Sequence, residues 1–305
     1  MSLRALYGLA APAKLNLFLH VIGRRADGYH LVESIFVLID WADTLHFELR
    51  DDGHLARHDL GLALPDDDLC LRAARALQSA SACSAGVDVS IDKQVPWGSG
   101  MGGGSSDAAT TLLALNRLWG LNWPRARLQE VAVKLGADVP FFVGGHNAFV
   151  EGIGERLTPV VLPQAAYAVV KPPSELSTRD IFEQLTIDAV NASDILAGLP
   201  QGADRSCLPA AWQPGFGTNH LQRAAQNRCP EVAQAAGWLQ ASYGNSRMTG
   251  SGSAVYARVS SVQNSVMAVS PVAAFPAEGL PGLPPGWVGR MCRSLPQHPL
   301  VGWAG

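Results

Sequence analysis

The sequence predicts an α+β fold divided into two domains, and three observations support this prediction. The chain has 305 residues, which at roughly 150 residues per domain suggests two domains or one large one. In the first half, stretches of alternating apolar residues are interleaved with stretches of helical pattern. Past Pro172 and Pro173 the chain changes to short helices, strands and a segment rich in proline and glycine. We therefore predict an N-terminal domain over residues 1–165 and a C-terminal domain over residues 166–305.

The first predicted element is a strand over residues 13–22, where Leu15 and Leu17 alternate with Lys14 and Asn16. This alternation places the lysine and the asparagine on one face of the strand. Further strands are predicted over residues 31–40, 44–50, 86–92, 139–143, 147–151 and 167–171, and within 246–259. Helices are predicted over about a dozen residues after Asp68, which can cap the first of them, and over residues 105–119, 124–135, 179–197 and 218–239.

Composition excludes several classes of protein. Lys and Arg number 23 against 26 Asp and Glu, a net charge of −3, which does not support a surface that binds nucleic acid. The longest uncharged stretch, residues 259–277, contains polar residues and two prolines, so it is not a membrane span. The five cysteines are scattered and include no Cys-x-x-Cys, a pattern typical of reduced thiols in a cytoplasmic protein.

Two clusters of candidate metal ligands are better explained as local structure. Asp66, Asp67 and Asp68 resemble the start of a magnesium motif, but the second carboxylate of that motif is missing, so helix capping is expected. His54 and His58 are four residues apart but lie among loop-forming residues, so we predict a solvated turn. The sequence assigns no metal ligand.

A glycine-rich segment follows the predicted strand over residues 86–92. It reads PWGSGMGGGSSD over residues 96–107 and leads directly into a helix. Few side chains stand in the way of its amides, and a helix start adds free N–H groups, so we predict a phosphate-binding loop. The Walker A motif fails because Gly104 occupies the lysine position. A dinucleotide site is disfavoured because residues 108–129 contain no acidic residue.

This loop resembles the phosphate loop of the GHMP family of small-molecule kinases, whose form is Pro-x-x-x-Gly-Leu-Gly-Gly-Gly-Ser-Ser-Asp/Asn-Ala-Ala. Residues 12–19 (PAKLNLFL) and 249–253 (TGSGS) resemble two further blocks of the family. The resemblance implies an N-terminal domain like the second domain of ribosomal protein S5 and a ferredoxin-like C-terminal domain. It also implies ATP as co-substrate, with Mg²⁺. The residues expected to bind ATP are Lys93, Pro96, Trp97, Gly98, Ser99, Gly100, Met101, Gly102, Gly103, Gly104, Ser105 and Ser106.

The resemblance also assigns the catalytic pair. Asp138 lies in the segment GADVP, where the corresponding family residue faces the acceptor hydroxyl. A carboxylate there can accept the hydroxyl proton as the oxygen attacks the γ-phosphorus. Lys14 is its expected partner, because a cation holds the carboxylate ionised and offsets charge on the phosphoryl group.

The acceptor is indicated by residues 24–30, RRADGYH. They resemble a segment of the branch of the family that phosphorylates 4-diphosphocytidyl-2-C-methyl-D-erythritol, in which Tyr and His hold the cytosine. Tyr29 offers a ring to stack and His30 offers a donor and an acceptor; Asn16 and Thr178 are further expected substrate contacts. Two alternatives remain open: a GHMP kinase for another small alcohol, and an inactive member that senses nucleotide.

The partners follow from this interpretation. We expect small-molecule substrates, no nucleic acid and no membrane, and a monomer or weak homodimer in the cytoplasm.

Overall fold

The computed structural model describes residues 3–61, 63–66, 68–185, 215–259 and 279–305. The strands are β1 (Ala5–Arg24), β2 (His30–Arg50), β3 (Leu55–Asp59), β4 (Gly86–Asp92), β5 (Ala148–Glu151), β6 (Arg156–Pro159), β7 (Ala166–Lys171), β8 (Arg247–Met248), β9 (Val255–Val259) and β10 (Val288–Arg293). The helices are α1 (Leu69–Ser81), α2 (Gly103–Leu118), α3 (Arg125–Ala132), α4 (Val139–Gly144), α5 (Thr178–Glu183), α6 (Gln222–Arg228) and α7 (Pro230–Tyr243). No helix in these ranges combines the length and the apolar character that a bilayer crossing requires.

Two sheets organise these elements. The first has the order β3-β4-β2-β5-β6 with β1 paired to β2, and within it β3 runs parallel to β4. The second is antiparallel, in the order β10-β7-β9-β8. The first sheet uses strands up to Pro159 and the second begins at Ala166.

The buried apolar residues fall into clusters that explain this arrangement. Helices α1 to α4 contribute to a core with the first sheet, in which Phe47, Leu112 and Phe142 are fully buried. A second cluster joins the two sheets, with Leu15 on β1 packed in the same core as Tyr167 on β7. Because burial of apolar area stabilises a fold in proportion to that area, the interface between the sheets is part of the core.

Capping of α1 confirms the prediction for Asp68. Its Oδ1 accepts a hydrogen bond from the backbone N–H of Leu71 at 3.0 Å, and α1 ends at Ala82, which adopts a left-handed conformation with φ 52°. The Arg57 guanidinium also lies 3.2 Å from this carboxylate. The aspartate is therefore a structural cap, since it satisfies an N–H group that the helix leaves without a partner.

The predicted strand over residues 139–143 is wrong, because this segment is helix α4. All five residues are buried. The segment therefore shows neither the alternation of polar and apolar residues typical of a strand nor the spacing typical of an amphipathic helix. Pro140 in the first turn favours a helix start, and Gly145 ends the helix in the left-handed conformation with φ 79°. Asp138 therefore lies at the start of a helix.

Two other predictions need correction. The strands predicted over residues 31–40 and 44–50 are one strand, β2, whose pairing with β1 continues through Ala42 and Asp43. The turn predicted around His58 is strand β3, and the imidazole contacts Asp88 at 3.0 Å. The described ranges hold no group of three or more His, Cys, Asp or Glu side chains placed to bind a metal.

Two helices predicted in the second half differ from the structure: one is described only in part and the other is divided in two. The helix predicted over residues 179–197 begins as α5 at Thr178, and its residues from 186 onward lie outside the described residues. Most of the helix predicted over 218–239 is divided into α6 and α7, because Pro230 at the first position of α7 lacks the N–H that would continue the earlier helix.

The chain ends in a segment that returns to the first sheet. We call residues 294–305 the C-terminal strap. The Leu295 N–H donates to the Leu38 carbonyl on β2 at 2.8 Å, and the Asn147 side-chain amide donates to the Leu295 carbonyl at 2.9 Å. Leu300 is buried in the first core. The strap thus connects the end of β10 to the opposite sheet.

Candidate active site

Three segments far apart in the sequence meet at the glycine-rich loop. The Lys14 N–H on β1 donates to the Met101 carbonyl at 2.9 Å, and from the other side the N–H of Ser253 donates to the Gly98 carbonyl at 2.9 Å. The β1–β2 pairing shifts register between Pro12 and Lys14, and such an irregularity releases a backbone N–H from the ladder. The loop is therefore fixed by backbone bonds to both neighbours.

The contact between the two glycine-rich segments is backbone against backbone. A Cβ atom at Gly100 would lie 2.4 Å from the Thr249 carbonyl oxygen, and one at Gly250 would lie 2.7 Å from the Gly100 oxygen. Both glycines have positive φ, 75° and 55°. No other residue type fits at either position without displacing the main chain.

The loop lines a cleft of about 210 Å³ above the start of α2. The start of a helix of this length presents unpaired N–H groups and the positive end of the helix dipole, which favours phosphate. All residues predicted to bind ATP line this cleft except Met101 and Ser106, which are completely buried. Leu69 and Val95 also line it and were missed, because an apolar residue at the edge of a cleft has no sequence signature.

Lys14 and Asp138 are brought together beside this cleft. The Lys14 ammonium lies 3.6 Å from Asp138 Oδ2 and donates to Asn16 Oδ1 at 2.5 Å. The lysine side chain is 3% exposed and the aspartate 29%. Burial lowers the pKa of Lys14, and the Asp138 carboxylate offsets part of this effect. The cation is thus enclosed, while the carboxylate stays partly exposed.

Asn16 and Thr249 connect this pair to the second glycine-rich segment. The Asn16 N–H donates to Thr249 Oγ1 at 2.9 Å, and the threonine hydroxyl donates back to Asn16 Oδ1 at 3.2 Å. The Asn16 amide also donates to Ser34 Oγ at 3.0 Å. Asn16 is buried, and its side-chain amide bonds to Lys14, Ser34 and Thr249, so it orients the Lys14 side chain.

Lys93, on the other flank of the loop, has a different environment. Its ammonium bonds to Asp43 and, at 2.5 Å, to Asp107. Burial acts to lower the pKa of Lys93, but the two carboxylates outweigh it and the pKa is raised. Burial raises the pKa of Asp107, as does the neighbouring Asp43. Lys93 lines the cleft, yet its charge is matched within the protein.

The residues predicted to bind the acceptor lie on two elements. Tyr29 is 61% exposed just before β2, whereas the His30 ring stacks on Phe182 of α5 with centroids 5.1 Å apart. Thr178 Oγ1, at the start of α5, lies 2.7 Å from Ser251 Oγ. The structure therefore brings His30 and Thr178 to the same helix. Phe182 was missed, because one aromatic residue on a short helix is indistinguishable in sequence from a core residue.

The fold and the arrangement of the site define the class of protein as a GHMP kinase. Residues 68–146 match the family described as GHMP kinases N terminal domain. The chain is 57% identical over 305 residues to a 4-diphosphocytidyl-2-C-methyl-D-erythritol kinase of Methylibium petroleiphilum, covering 100% of both chains. It is 52% identical to the protein of the same name from Variovorax paradoxus, covering 99% of this chain and 100% of that one.

A solved structure agrees with these relatives. The crystal structure of a 4-(cytidine 5'-diphospho)-2C-methyl-D-erythritol kinase superimposes with a TM-score of 0.67 at 33% identity, covering 83% of this chain and 89% of that one. The chain belongs to the family of 4-diphosphocytidyl-2-C-methyl-D-erythritol kinases. The predicted fold is confirmed as the α+β GHMP kinase fold, with an S5-like N-terminal part and a ferredoxin-like C-terminal part. The domain boundary at residue 165 stays a prediction.

Proposed function

We propose that this protein transfers the γ-phosphoryl group of ATP to the 2-hydroxyl of 4-diphosphocytidyl-2-C-methyl-D-erythritol. The products are the 2-phosphate and ADP, in a step of non-mevalonate isoprenoid precursor biosynthesis. The relatives that carry this name match the whole chain. The observation that carries the proposal at the level of chemistry is the Lys14–Asp138 pair, 3.6 Å apart beside the glycine-rich loop.

The proposed mechanism assigns one task to each part of the site. The loop amides and the start of α2 hold the ATP phosphates. Asp138, which is partly exposed, accepts the proton of the acceptor hydroxyl as its oxygen attacks the γ-phosphorus. Lys14 attracts the Asp138 carboxylate and offsets negative charge on the transferring group. Its burial strengthens both interactions, because water screens them less.

Mg²⁺ is the expected companion of ATP. This ion is usually held by one or two protein oxygens together with substrate phosphates. Ser106 Oγ fits this role: it lies in the first turn of α2, is buried, and has no hydrogen-bond partner in the described part of the chain. Bound there, the ion would neutralise phosphate charge.

The acceptor end is proposed to recognise the cytosine ring. Tyr29 is exposed and free to stack on a base, and His30 presents ring nitrogens to a base edge while Phe182 fixes its plane. Burial and the nearby Arg24 lower the pKa of His30, so the imidazole is neutral and offers one donor and one acceptor. Thr178 and Asn16 are proposed as further contacts to the acceptor. We further propose a cytoplasmic monomer or weak homodimer.

Phosphoryl transfer to a panel of alcohols tests this function. The enzyme is incubated with ATP and, in separate reactions, with one of five alcohols. These are the cytidyl acceptor, the phosphate of methylerythritol that lacks the cytidine, mevalonate, homoserine and galactose. We expect transfer to the cytidyl compound alone at an appreciable rate. Preferred transfer to another alcohol would contradict the acceptor assignment, and no transfer to any would favour an inactive nucleotide sensor.

Tyr29→Ala tests the proposed stacking. Stacking of a base on an aromatic ring contributes about 1–3 kcal/mol, so kcat/KM for the cytidyl acceptor should fall roughly 5- to 150-fold while the KM for ATP barely moves. The loss of kcat/KM should be smaller for the acceptor that lacks the cytidine. Tyr7→Ala is the matched control, because Tyr7, on the N-terminal part of β1, is 62% exposed and donates its hydroxyl to Glu48 of β2. Equal penalties for both acceptors would show that Tyr29 only supports its loop.

A further inference from the structure

The short helix α4 is held at its C-terminal end by the C-terminal strap. The His298 N–H donates to the Gly145 carbonyl, directly after α4, at 2.8 Å. A Cβ atom at Gly145 would lie 3.0 Å from Val301 Cγ2, so the strap packs directly on the turn that ends the helix. His298 is completely buried. The last turn of α4 therefore depends on residues more than 150 positions later in the chain.

Arg125, at the start of α3, bridges the helix and the strap. Its guanidinium donates to the carbonyls of Val143 in α4 and of Val301 and, at 2.8 Å, Ala304 in the strap. Its backbone N–H donates to the Gly305 carbonyl at 3.0 Å. A guanidinium suits this task because it has five donors in a fixed plane, whereas an ammonium group has three donors around one atom.

The other end of α4 carries Asp138. A helix of six residues is about 9 Å long and has little stability by itself, so contacts with its surroundings fix its orientation. The Asp138 side chain makes no capping bond, and its 3.6 Å distance from the Lys14 ammonium exceeds a normal hydrogen bond. The position of this carboxylate thus follows the position of the helix.

We propose that Arg125 and the C-terminal strap are positioning elements that place Asp138 for phosphoryl transfer. They act through α4. Among the described residues, Arg125 and the strap are not part of the lining of the nucleotide cleft, whose loop is held by Ser253 and Lys14. A misplacement of about 1 Å can cost a reaction roughly 100-fold in rate. The inference rests on the proposed role of Asp138 as the group that accepts the proton.

Substitutions at both sides of the bridge test this inference. For Arg125→Ala we expect kcat to fall about 10- to 100-fold, with the KM for ATP within about twofold of the parent. Arg125→Lys, which keeps the charge and some of the donors, should recover part of this loss. Val301→Ala, which removes only methyl groups packed on Gly145, should lower kcat roughly two- to fivefold.

Two controls separate positioning from stability. Arg127→Ala removes an arginine of the same helix whose guanidinium lies over the Trp123 ring, 3.5 Å from its centroid, and it should keep the parental kcat. Val87→Ala leaves a cavity beside β4, in the same core but outside the Arg125 bridge and the strap, and should lower the unfolding temperature without lowering kcat. All rates are measured at a temperature where near-UV circular dichroism shows each variant to be folded.

The outcomes distinguish this inference from the proposed function. A folded Arg125→Ala with parental kcat overturns the positioning role, and if that variant does not fold, parental kcat in both Arg125→Lys and Val301→Ala overturns it. A loss of kcat in Val87→Ala equal to that in the Arg125 variants also overturns it. If Asp138→Asn itself keeps parental kcat, the proposed role of Asp138 fails, whereas an inactive Asp138→Asn beside fully active strap variants refutes the positioning alone.

Discussion

Two buried lysines flank the glycine-rich loop, and their surroundings differ. A Cβ atom at Gly102 would lie 3.4 Å from Lys14 Cε, and one at Gly103 would lie 3.1 Å from Lys93 Nζ. The Lys14 ammonium faces one carboxylate at 3.6 Å, whereas the Lys93 ammonium bonds to two. The pKa of Lys14 is lowered by burial, and that of Lys93 is raised because its carboxylates outweigh burial.

The difference shows that two lysines beside the same cleft can have different roles, one structural and one in the reaction. The charge of Lys93 is matched twice over within the protein, so it links the end of β4 to α2 and adds little field at the phosphates. The charge of Lys14 is only partly matched, because Asp138 is partly exposed. We infer that the field available to a transferring phosphoryl group comes from Lys14, and five predictions test this comparison.

The largest expected effect is on turnover. Asp138→Asn removes the proposed proton acceptor, and kcat should fall roughly 10²- to 10⁴-fold with ATP binding little changed. Steady-state kinetics and nucleotide titration measure the two quantities. Asp66→Asn, at an exposed aspartate before α1, is the control. Near-parental turnover in Asp138→Asn would remove it from this role.

The next effect is on stability, and it should separate the two lysines. Lys93→Met leaves two buried aspartates without their cation and should lower the free energy of unfolding by about 3–5 kcal/mol. Lys14→Met should cost less than about 1 kcal/mol, because it removes a desolvated charge that is only partly paired. Urea unfolding of both variants measures the difference. Equal losses would mean that Lys14 is as much a structural ion as Lys93.

A smaller difference is expected between the partners of Lys93. Asp43 Oδ1 also accepts the N–H groups of Gln94 and Val95, at 2.6 and 2.7 Å. In Asp43→Asn the new NH₂ group must face either the Lys93 ammonium or these two N–H groups, all of which are donors. The substitution should therefore lower the free energy of unfolding by about 1–3 kcal/mol. Asp107 accepts from the Lys93 ammonium through Oδ2, and its Oδ1 has no hydrogen-bond partner in the described part of the chain, so Asp107→Asn disturbs fewer bonds and should cost less than Asp43→Asn. The reverse order would show that Asp107 carries the charge of this cluster.

The smallest effect is a difference in titration. The chain has four lysines, Lys14, Lys93, Lys134 and Lys171, so side-chain NMR signals can be assigned by single substitutions. As pH rises, Lys14 should lose its proton below the ordinary value of 10.5 and Lys93 above it. Asp138→Asn removes an influence that raises the pKa of Lys14, so that pKa should fall further. Titration of Lys93 before Lys14 would invert the comparison.

These shifts have opposite consequences for stability. Lys93 has a folded-state pKa above its unfolded value, so its contribution to stability is present at lower pH and is lost as pH rises through the folded pKa. Lys14 has a folded-state pKa below its unfolded value, so its desolvation cost is relieved as pH rises through that pKa. Alkaline unfolding of Lys93→Met should therefore be less dependent on pH than that of the parent.

The glycine-rich loop and the strand that carries Lys14 could be predicted from the sequence, because each has a local sequence pattern. A close approach of two main chains requires glycine, as at Gly100 and Gly250, and a polar residue alternating with leucine marks one face of a strand, as at Lys14. The glycine pattern and the alternation of polar and apolar residues can each be recognised within a short stretch of sequence. The roles of the site residues stay predictions.

The features that were not predicted depend on tertiary contacts. Helix α4 is buried on all sides, so its residues carry no period, and β3 is short and includes the exposed His58. The pairing of Lys93 with Asp43 joins residues 50 positions apart. The sequence around Lys93 therefore does not show that the charge of this lysine is matched within the protein. The same holds for Phe182, which meets His30 through the packing of α5 on the end of β2.

The bond between Asn16 and Thr249 also has a consequence for the order of events during synthesis. It joins residues separated by 233 positions, and at about 5–20 residues per second the ribosome needs roughly 10–50 s to add that length. Until then the glycine-rich loop lacks one of its two backbone supports. We expect a nascent chain stalled before residue 249 to retain no nucleotide, because the second glycine-rich segment, which supports the loop at Gly98, has not yet been made.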